Sequence, residues 1–475
     1  MSTPNLQKSL TAVRERTRHR ETASPQSDGS QVQTNIPQVL AGEVVWLGVE
    51  TLKVYARNAR QHSPKQVTLL AAAIRQFGFT NPILIDAEGQ ILAGHGRLEA
   101  AKSLGMTKVP TLRIERMTEA QKRAYVIGDN RLAELAKWDR EMLRLEMIDL
   151  SLPDLNFSAE VTGFSTAEID LIIEQDAPKA PSRDDQLPAL QPHAVSRVGD
   201  LWQLGSHLLY CGNSLETASY DAVMAGAHTR TVITDPPYNV PIAGHVGGLG
   251  RVQHREFVMA SGEMTEGQFT EFLESFLRCS ADVCDLGALI YAFMDWRHAY
   301  ELMTAGRRIA LQQIALCCWN KDNAGMGSFY RSKHELCFVF RHGDAPHVNN
   351  VELGRYGRYR TNVWDYPGAN TFRKGRDADL AAHPTVKPVA MISDIIRDCT
   401  KRGETVLDPF CGSGTILIAA ERTGRHARAI ELDPLYVDAA IRRWQTLTGI
   451  EARLAGENAT FAEIAAERST EAAHG

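Results

Sequence analysis

Thr231-Val232-Ile233-Thr234-Asp235-Pro236-Pro237-Tyr238-Asn239 is the stretch from which the fold is read. A short β-branched run reads as the end of a buried strand, and it stops at an acid, two prolines and an aromatic. Each proline fixes φ and removes a backbone donor, so the turn offers carbonyl oxygens beside a carboxylate. Such an acceptor cluster next to a ring that can stack suits a planar base whose exocyclic amino group carries two protons. A Pro-Pro turn that merely closes a strand is the alternative reading of these residues.

Downstream, Thr405-Val406-Leu407-Asp408-Pro409-Phe410-Cys411-Gly412-Ser413-Gly414-Thr415 carries a second strand into a glycine turn and then a helix, so backbone can approach a ligand at a helix N-terminus. The strand Ala427 to Ile430 ends at Glu431, close to the roughly 20-residue spacing at which an acid meets a ribose in doubly wound nucleotide sites. A nucleoside cofactor is implied. No Gly-Lys-Ser/Thr and no Gly-x-Gly-x-x-Gly accompanies the turn, which argues against ATPase and NAD chemistry.

Between Asp235 and Asp408, an amphipathic helix near Gln268 to Arg278 and apolar strands at Ala288 to Phe293, Ile314 to Trp319 and Leu336 to Phe340 alternate. That pattern predicts a largely parallel sheet covered on both faces. The segment 341–376 breaks it, with seven basic residues, three acidic ones and interleaved Tyr356, Tyr359, Trp364, Tyr366 and Phe372. Arg355, Arg358, Arg360, Arg373 and Lys374 are the candidate phosphate contacts, with the rings as stacking partners. A solvated loop with a few buried rings is the alternative.

At 475 residues with 44% hydrophobic and 23% charged residues, the chain reads as an α/β protein of two or three domains. No apolar run approaches the roughly 18 residues that span a bilayer. Eight cysteines without a Cys-x-x-Cys pair point to a reducing cytoplasm and to no metal site. The net charge of −5 leaves room for a local basic face. Residues 1–40 read as a disordered tail whose Arg14, Arg16, Arg18 and Arg20 form a basic cluster. A first domain follows over 41–130. Its Ser63-Pro64 opens a helix through Phe77, Ile83 to Ala93 forms a hairpin, Gly94-His95-Gly96-Arg97 leads into a helix to Leu104, a strand runs from Val109 to Ile114, and Thr118-x-x-Gln121 caps a further helix. A helical connector and proline-rich linker fill 131–195, a second domain 196–450, and a tail 451–475.

The run from Pro82 through Gly94-His95-Gly96-Arg97-Leu98 to Val109-Pro110 resembles the N-terminal domain of the ParB/sulfiredoxin superfamily. ParB-type members bind nucleotide phosphates through a Gly-Glu-Arg-Arg loop. Here Gly94 and Arg97 are kept and His95 and Gly96 lie between them, so nucleotide binding stands as an open expectation. Sulfiredoxin's catalytic cysteine has no counterpart before Cys211.

Asp235-Pro236-Pro237-Tyr238 and Asp408-Pro409-Phe410-Cys411-Gly412-Ser413-Gly414 together resemble the S-adenosylmethionine-dependent DNA amino-methyltransferases, as does His383-Pro384-Thr385-Val386-Lys387-Pro388. Catalytic motif first and cofactor motif last is the order of their β group, a circular permutation of the usual one. The resemblance implies a Rossmann-like α/β domain preceded by a small α+β domain, and methyl transfer to a base flipped out of double-stranded DNA. It implies catalytic roles for Asp235, Pro236, Pro237 and Tyr238. It assigns the cofactor to Asp408, Phe410, Gly412 and Gly414, with Glu431 on the ribose, Asn213 near the adenine, and Lys387 and Thr385 at the methionine carboxylate. Asp at position 235 favours adenine; cytosine amino-methylation, or a ParB-like DNA-binding protein whose second domain only binds cofactor, are the alternatives. A homodimer stands as an open expectation. By fold analogy the fused first domain suggests a solitary enzyme of phage or mobile-element type.

Overall fold

The computed structural model describes residues 40–152, 155–174, 183–240, 260, 262–322, 330–355, 357–368 and 386–474. The basic cluster at 14–20, Tyr356, Phe372, Arg373, Lys374, Arg376, His383 and Thr385 lie outside the described residues. The chain forms two compact units, one comprising 1–143 and 156–164, the other 144–155 and 165–475.

In the first unit, strand β1 (Leu40–Gly48) precedes helix α1 (Pro64–Phe77), the hairpin strands β2 (Ile83–Ile85) and β3 (Ile91–Ala93), α2 (His95–Ser103), β4 (Lys108–Ile114) and α3 (Glu119–Leu135). The sheet order is β1-β4-β2-β3, with β2 parallel to β4 and antiparallel to β3. Local signals set these limits. The Ser63 hydroxyl accepts from the Gln66 amide, and Thr118 and Gln121 form a reciprocal capping box. Gly94, at φ +104°, starts α2 in a conformation that a side chain disfavours. The loop it opens is turned inward. His95 is buried, Arg97 donates to the Pro82 carbonyl at 3.3 Å, and a Cβ on Gly96 would meet the His62 ring at 3.0 Å. Burial lowers the pKa of both His95 and Arg97.

After α4 (Arg140–Asp149), the second unit continues with α5 (Thr166–Glu174), β5 (Leu201–Leu204), β6 (His207–Cys211), α6 (Thr217–Met224), β7 (Thr229–Thr234), α7 (Glu266–Asp282), β8 (Cys284–Met294), α8 (Ala299–Arg308), β9 (Gln312–Asn320), β10 (His334–Arg341) and β11 (Val363–Asp365). It closes with α9 (Val389–Cys399), β12 (Thr405–Asp408), α10 (Thr415–Thr423), β13 (His426–Glu431), α11 (Pro434–Thr448), β14 (Arg453–Leu454) and α12 (Phe461–His474). Among the described residues the strands form one sheet in the order β11-β9-β10-β8-β7-β12-β13-β6-β5-β14. The run β8-β7-β12-β13-β6 is parallel throughout.

Alternate strand residues feed two separate cores, as a sheet covered on both faces requires. Ile233, Tyr291, Phe293 and Val406 pack with α9, α10 and α11, whereas Val232, Ile290, Ala292 and Leu407 pack with α6, α7 and α8. From β7 the chain crosses through α7 to β8, and from β12 through α10 to β13 on the opposite side. The crossovers therefore diverge between β7 and β12, which opens a crevice beyond the carboxyl ends of those two strands.

Several expectations are corrected. The stretch 451–475 is not a tail: Ala452, Leu454, Phe461 and Ile464 are buried in the second unit's core, and the Phe461 ring meets Trp202 edge-on at 5.3 Å. Nor is 183–195 a loose linker. Asp184 pairs with Arg422 at 2.7 Å, Asp185 accepts from the Val389 amide, and Asp438 accepts from the Val195 amide. The connector is divided too, because Asp170 of α5 forms a fully buried pair with Arg425 at 2.9 Å inside the second unit.

Arg358 and Arg360, expected on phosphates, face inward instead. Arg358 is 6% exposed and its guanidinium meets Asp398 at 2.8 Å and Asp394 at 3.3 Å. Arg360 reaches Asp398 at 2.9 Å and the Tyr366 hydroxyl at 2.8 Å. Two acids one turn apart on α9 claim both cations, and Trp364 is buried beneath them. Removing one partner of such a pair leaves a buried charge uncompensated. Replacing Arg358 with Ala is therefore expected to destabilise the protein by about 3 kcal/mol in chemical denaturation, whereas Arg355→Ala, at an exposed position, should change it by less than about 0.5 kcal/mol; equal effects would contradict the assignment.

Candidate active site

The crevice holds a cavity of about 160 Å³ lined from both diverging strands. Ile233 to Tyr238 come from β7 and its turn, and Asp408 to Ser413 from β12 and its glycine turn. Glu431 at the end of β13, Leu432 and Asp433 beyond it, Tyr436 of α11, and Val386 and Lys387 before α9 add to the wall. Residues about 170 positions apart thus share one wall because their strands are neighbours, Val406 pairing with Thr231 and Leu407 with Val232.

On the β12 side, Gly414 has φ +80°, and a Cβ there would meet Ala440 of α11 at 2.8 Å, so the turn needs glycine to pack. Asp408 accepts from the Phe410 amide at 3.0 Å. Glu431 accepts from the Gly412 amide at 2.7 Å and the Asp433 amide at 2.8 Å, which locks its carboxylate across the turn. Burial is the largest influence on both acids. It pushes Asp408 up to about 8, helped by the nearby Asp235 and Glu431, and Glu431 up to about 7 against the amide hydrogen bonds. Phe410 lines the cavity and meets Phe276 edge-on at 5.1 Å, so it both packs and faces the site.

On the β7 side, the turn is held by Asn239. Its φ of +53° suits asparagine, its side-chain nitrogen donates to the Met264 carbonyl at 2.8 Å, and its oxygen accepts from the Gly262 and Met264 amides. The Tyr238 hydroxyl donates to Asp235 at 2.6 Å. Asp235 also pairs with Lys387, and Lys387 reaches Glu335 of β10 at 3.1 Å. Glu335 in turn pairs with Lys321. Burial raises the pKa of Asp235, with Lys387 opposing and Glu335 reinforcing the shift. Burial also works against ionisation of Glu335, yet Lys387 and Lys321 outweigh it and bring that acid down to about 2. For Lys387, burial is likewise outweighed by Asp235 and Glu335, and its ammonium is held above the ordinary lysine value.

The expected site residues divide as follows. Asp235, Pro236, Pro237, Tyr238, Lys387, Asp408, Phe410, Gly412 and Glu431 line the same cavity, and Gly414 shapes its floor from behind. Lys387 was expected at a cofactor carboxylate. The structure instead places its ammonium between Asp235 and Glu335, because two partly buried acids attract it more than open cavity does. Asn213 does not line the cavity; its amide closes a local turn through the Leu215 amide and Glu216, while the neighbouring Ser214 lines the wall. Sequence reasoning missed Glu335, Lys321, Asn239 and Tyr436. For Glu335 a signal existed, since it is the one acid in the otherwise apolar run Glu335 to Phe340.

Acceptors, a stackable ring and an ionised amine on one side, with acids and a glycine turn on the other, can hold an amino-bearing base against a nucleoside-bearing donor. Residues 229–442 match the family described as DNA methylase, residues 141–198 the ParB-methyltransferase HTH domain, and residues 33–131 the ParB N-terminal domain. The ParB-like nuclease domain-containing protein YnaK of Escherichia coli (strain K12) is 48% identical over 80 residues, covering 17% of this chain and 92% of that protein. Type II methyltransferase M.ScaI of Streptomyces caespitosus is 36% identical over 87 residues, 18% of this chain and 29% of that protein, so the chain spans under a third of that relative. Among solved structures, PvuII DNA methyltransferase (cytosine-N4-specific) aligns with TM-score 0.39 and 15% identity over 54% of this chain and 90% of that one. The chain belongs to the ParB-like domain proteins through residues 33–131 and carries, over 229–442, a domain of the DNA methylase family.

Proposed function

We propose that this protein is a site-specific DNA methyltransferase that uses S-adenosylmethionine to methylate the exocyclic amino group of adenine. The observation that carries the reading is the single cavity shared by the acceptor turn at Asp235 to Tyr238 and the glycine turn at Asp408 to Gly414. Its family takes in amino-methylation of both adenine and cytosine. The aspartate at position 235 favours adenine, because cytosine-modifying relatives more often carry serine there.

When bound, S-adenosylmethionine supplies an electrophilic methyl group on a positive sulfonium. Asp408, the Gly412 to Gly414 turn and Glu431 are the residues that would hold it, with Phe410 and Tyr436 as apolar walls. Their chemistry fits: two buried acids whose pKa values are raised gain from a cationic ligand and from ribose hydroxyls that donate to them.

An aromatic amino nitrogen is a poor nucleophile because its lone pair is conjugated into the ring. A base rotated out of the duplex, at a cost of a few kcal/mol, would stack on Tyr238. Asp235 and the Pro236 carbonyl would accept its two amino protons, favouring a pyramidal nitrogen with its lone pair freed. Asp235 then serves as acceptor and final proton sink. Arg355, half of whose side chain or more is exposed, together with Arg373 and Lys374 supplies phosphate contacts in this reading. The cytoplasm, where DNA and methyl donor meet, is the proposed place of action.

Three outcomes follow. With DNA and methyl-labelled S-adenosylmethionine, digestion to nucleosides should put the label on N6-methyladenine; label on N4-methylcytosine would replace the adenine assignment, and no labelled base would defeat the reading. Asp235→Ala should lower methyl transfer by about 10²-fold or more while calorimetry finds cofactor binding retained. Because the raised acids bind protons below their pKa values of about 7 and about 8, cofactor affinity should rise from pH 6 to pH 8.5. The gain should be roughly tenfold, with protons released on binding, and Glu431→Gln should flatten the lower part of that rise.

A further inference from the structure

The cluster behind Asp235 holds more charge than acceptance of an amino group requires. Two carboxylates, Asp235 and Glu335, face two ammonium groups, Lys387 and Lys321, with the Tyr238 phenol 2.6 Å from Asp235 and 3.5 Å from Glu335. These groups come from four places: the turn after β7, the residue after β9, β10, and the residue before Pro388 and α9; the ring of Phe293 on β8 lies 5.0 Å from the Lys387 nitrogen. Cys337 of β10, Asp408 of β12 and Asp295 beyond β8 also act on the cluster. The Lys387 side chain is 6% exposed.

Lysine carries three donors and no acceptor. Paired with Asp235 alone, its ammonium would neutralise that carboxylate and weaken it as an acceptor for anything else. Glu335 prevents this by drawing on the same ammonium from the other side, and Lys321 supplies Glu335 with a second cation. Asp235 is therefore the member of the cluster with charge to spare.

We propose that Glu335 is a positioning residue of this site: by sharing Lys387 with Asp235, it limits the neutralisation of Asp235 and keeps that carboxylate available to a target amino group. The catalytic consequence rests on the methyl-transfer reading, whereas the coupling belongs to the folded protein with or without DNA. Lys321 tunes the same balance from the far side. Loss of Glu335 hands Lys387 to Asp235 and removes a neighbouring anion, and both effects lower the Asp235 pKa. Loss of Lys321 lets Glu335 draw Lys387 away, which raises it.

The test is a titration of the Asp235 carboxyl carbon by NMR in protein labelled at aspartate, with the signal assigned by its loss in Asp235→Asn. Glu335→Gln should move the midpoint down by about one pH unit and Lys321→Met should move it up by a similar amount. In turnover, Glu335→Gln should lower kcat roughly tenfold, shift the acid limb of the kcat profile downward and leave the cofactor KM nearly unchanged, with Glu335→Asp restoring most of the loss. Midpoints that stay in place, or that move in the same direction in both variants, would overturn the proposal. Cofactor binding reports folding, and if Glu335→Gln fails to fold, the direction of the Lys321→Met shift decides alone. A wild-type protein that methylates no DNA would defeat the methyl-transfer reading and leave the titration to judge the coupling.

Discussion

Everything at the site depends on one backbone constraint, the parallel pairing of β7 with β12. Thr231, Val232, Val406 and Leu407 are fully buried where the strands meet, and the Thr229 hydroxyl donates to the Thr405 carbonyl at 2.9 Å. Because the next crossovers diverge, no helix among the described residues covers the carboxyl end of this strand pair, and two turns remote in sequence face one cavity. A slip of one residue in this pairing would exchange the two cores and turn Asp235 or Asp408 out of the cavity.

That placement has an electrostatic cost which the surrounding residues manage in different ways. On the β12 side, Asp408 and Glu431 are held mainly by backbone amides, and their pKa values rise. Around Asp235, charge is met with charge, through Lys387, Glu335 and Lys321. In the proposed methyl-transfer reading, the first side would receive a ligand that brings positive charge and hydroxyl donors, and the second a neutral base that brings amino protons. In that reading the carboxyl ends of two central strands offer two environments, one for each reactant.

Much of this was legible in the sequence because it is local. The Ser63 and Thr118 caps, the alternation of apolar strands with helices, and the two acid-proline turns each announce themselves within a dozen residues. What escaped is set by tertiary partners. Composition cannot distinguish an arginine awaiting phosphate from one already paired, and the acids that claim Arg358 and Arg360 lie on α9, 34 to 40 residues later. The span 451–475 holds only three large apolar residues, Leu454, Phe461 and Ile464, among many alanines, yet these suffice to seat α12. Glu335 gave a local signal, an acid within an apolar strand, but its meaning required Lys387 and Lys321 in three dimensions.

The central claim is that the two turns form one site, and a structure with DNA and S-adenosylhomocysteine tests it most directly. The account predicts the cofactor sulfur between the Asp408 turn and Asp235, with the exocyclic nitrogen of a flipped base within about 3 Å of the Asp235 carboxylate. A base held away from Asp235, or a cofactor bound outside the cavity shared by β7 and β12, would contradict it.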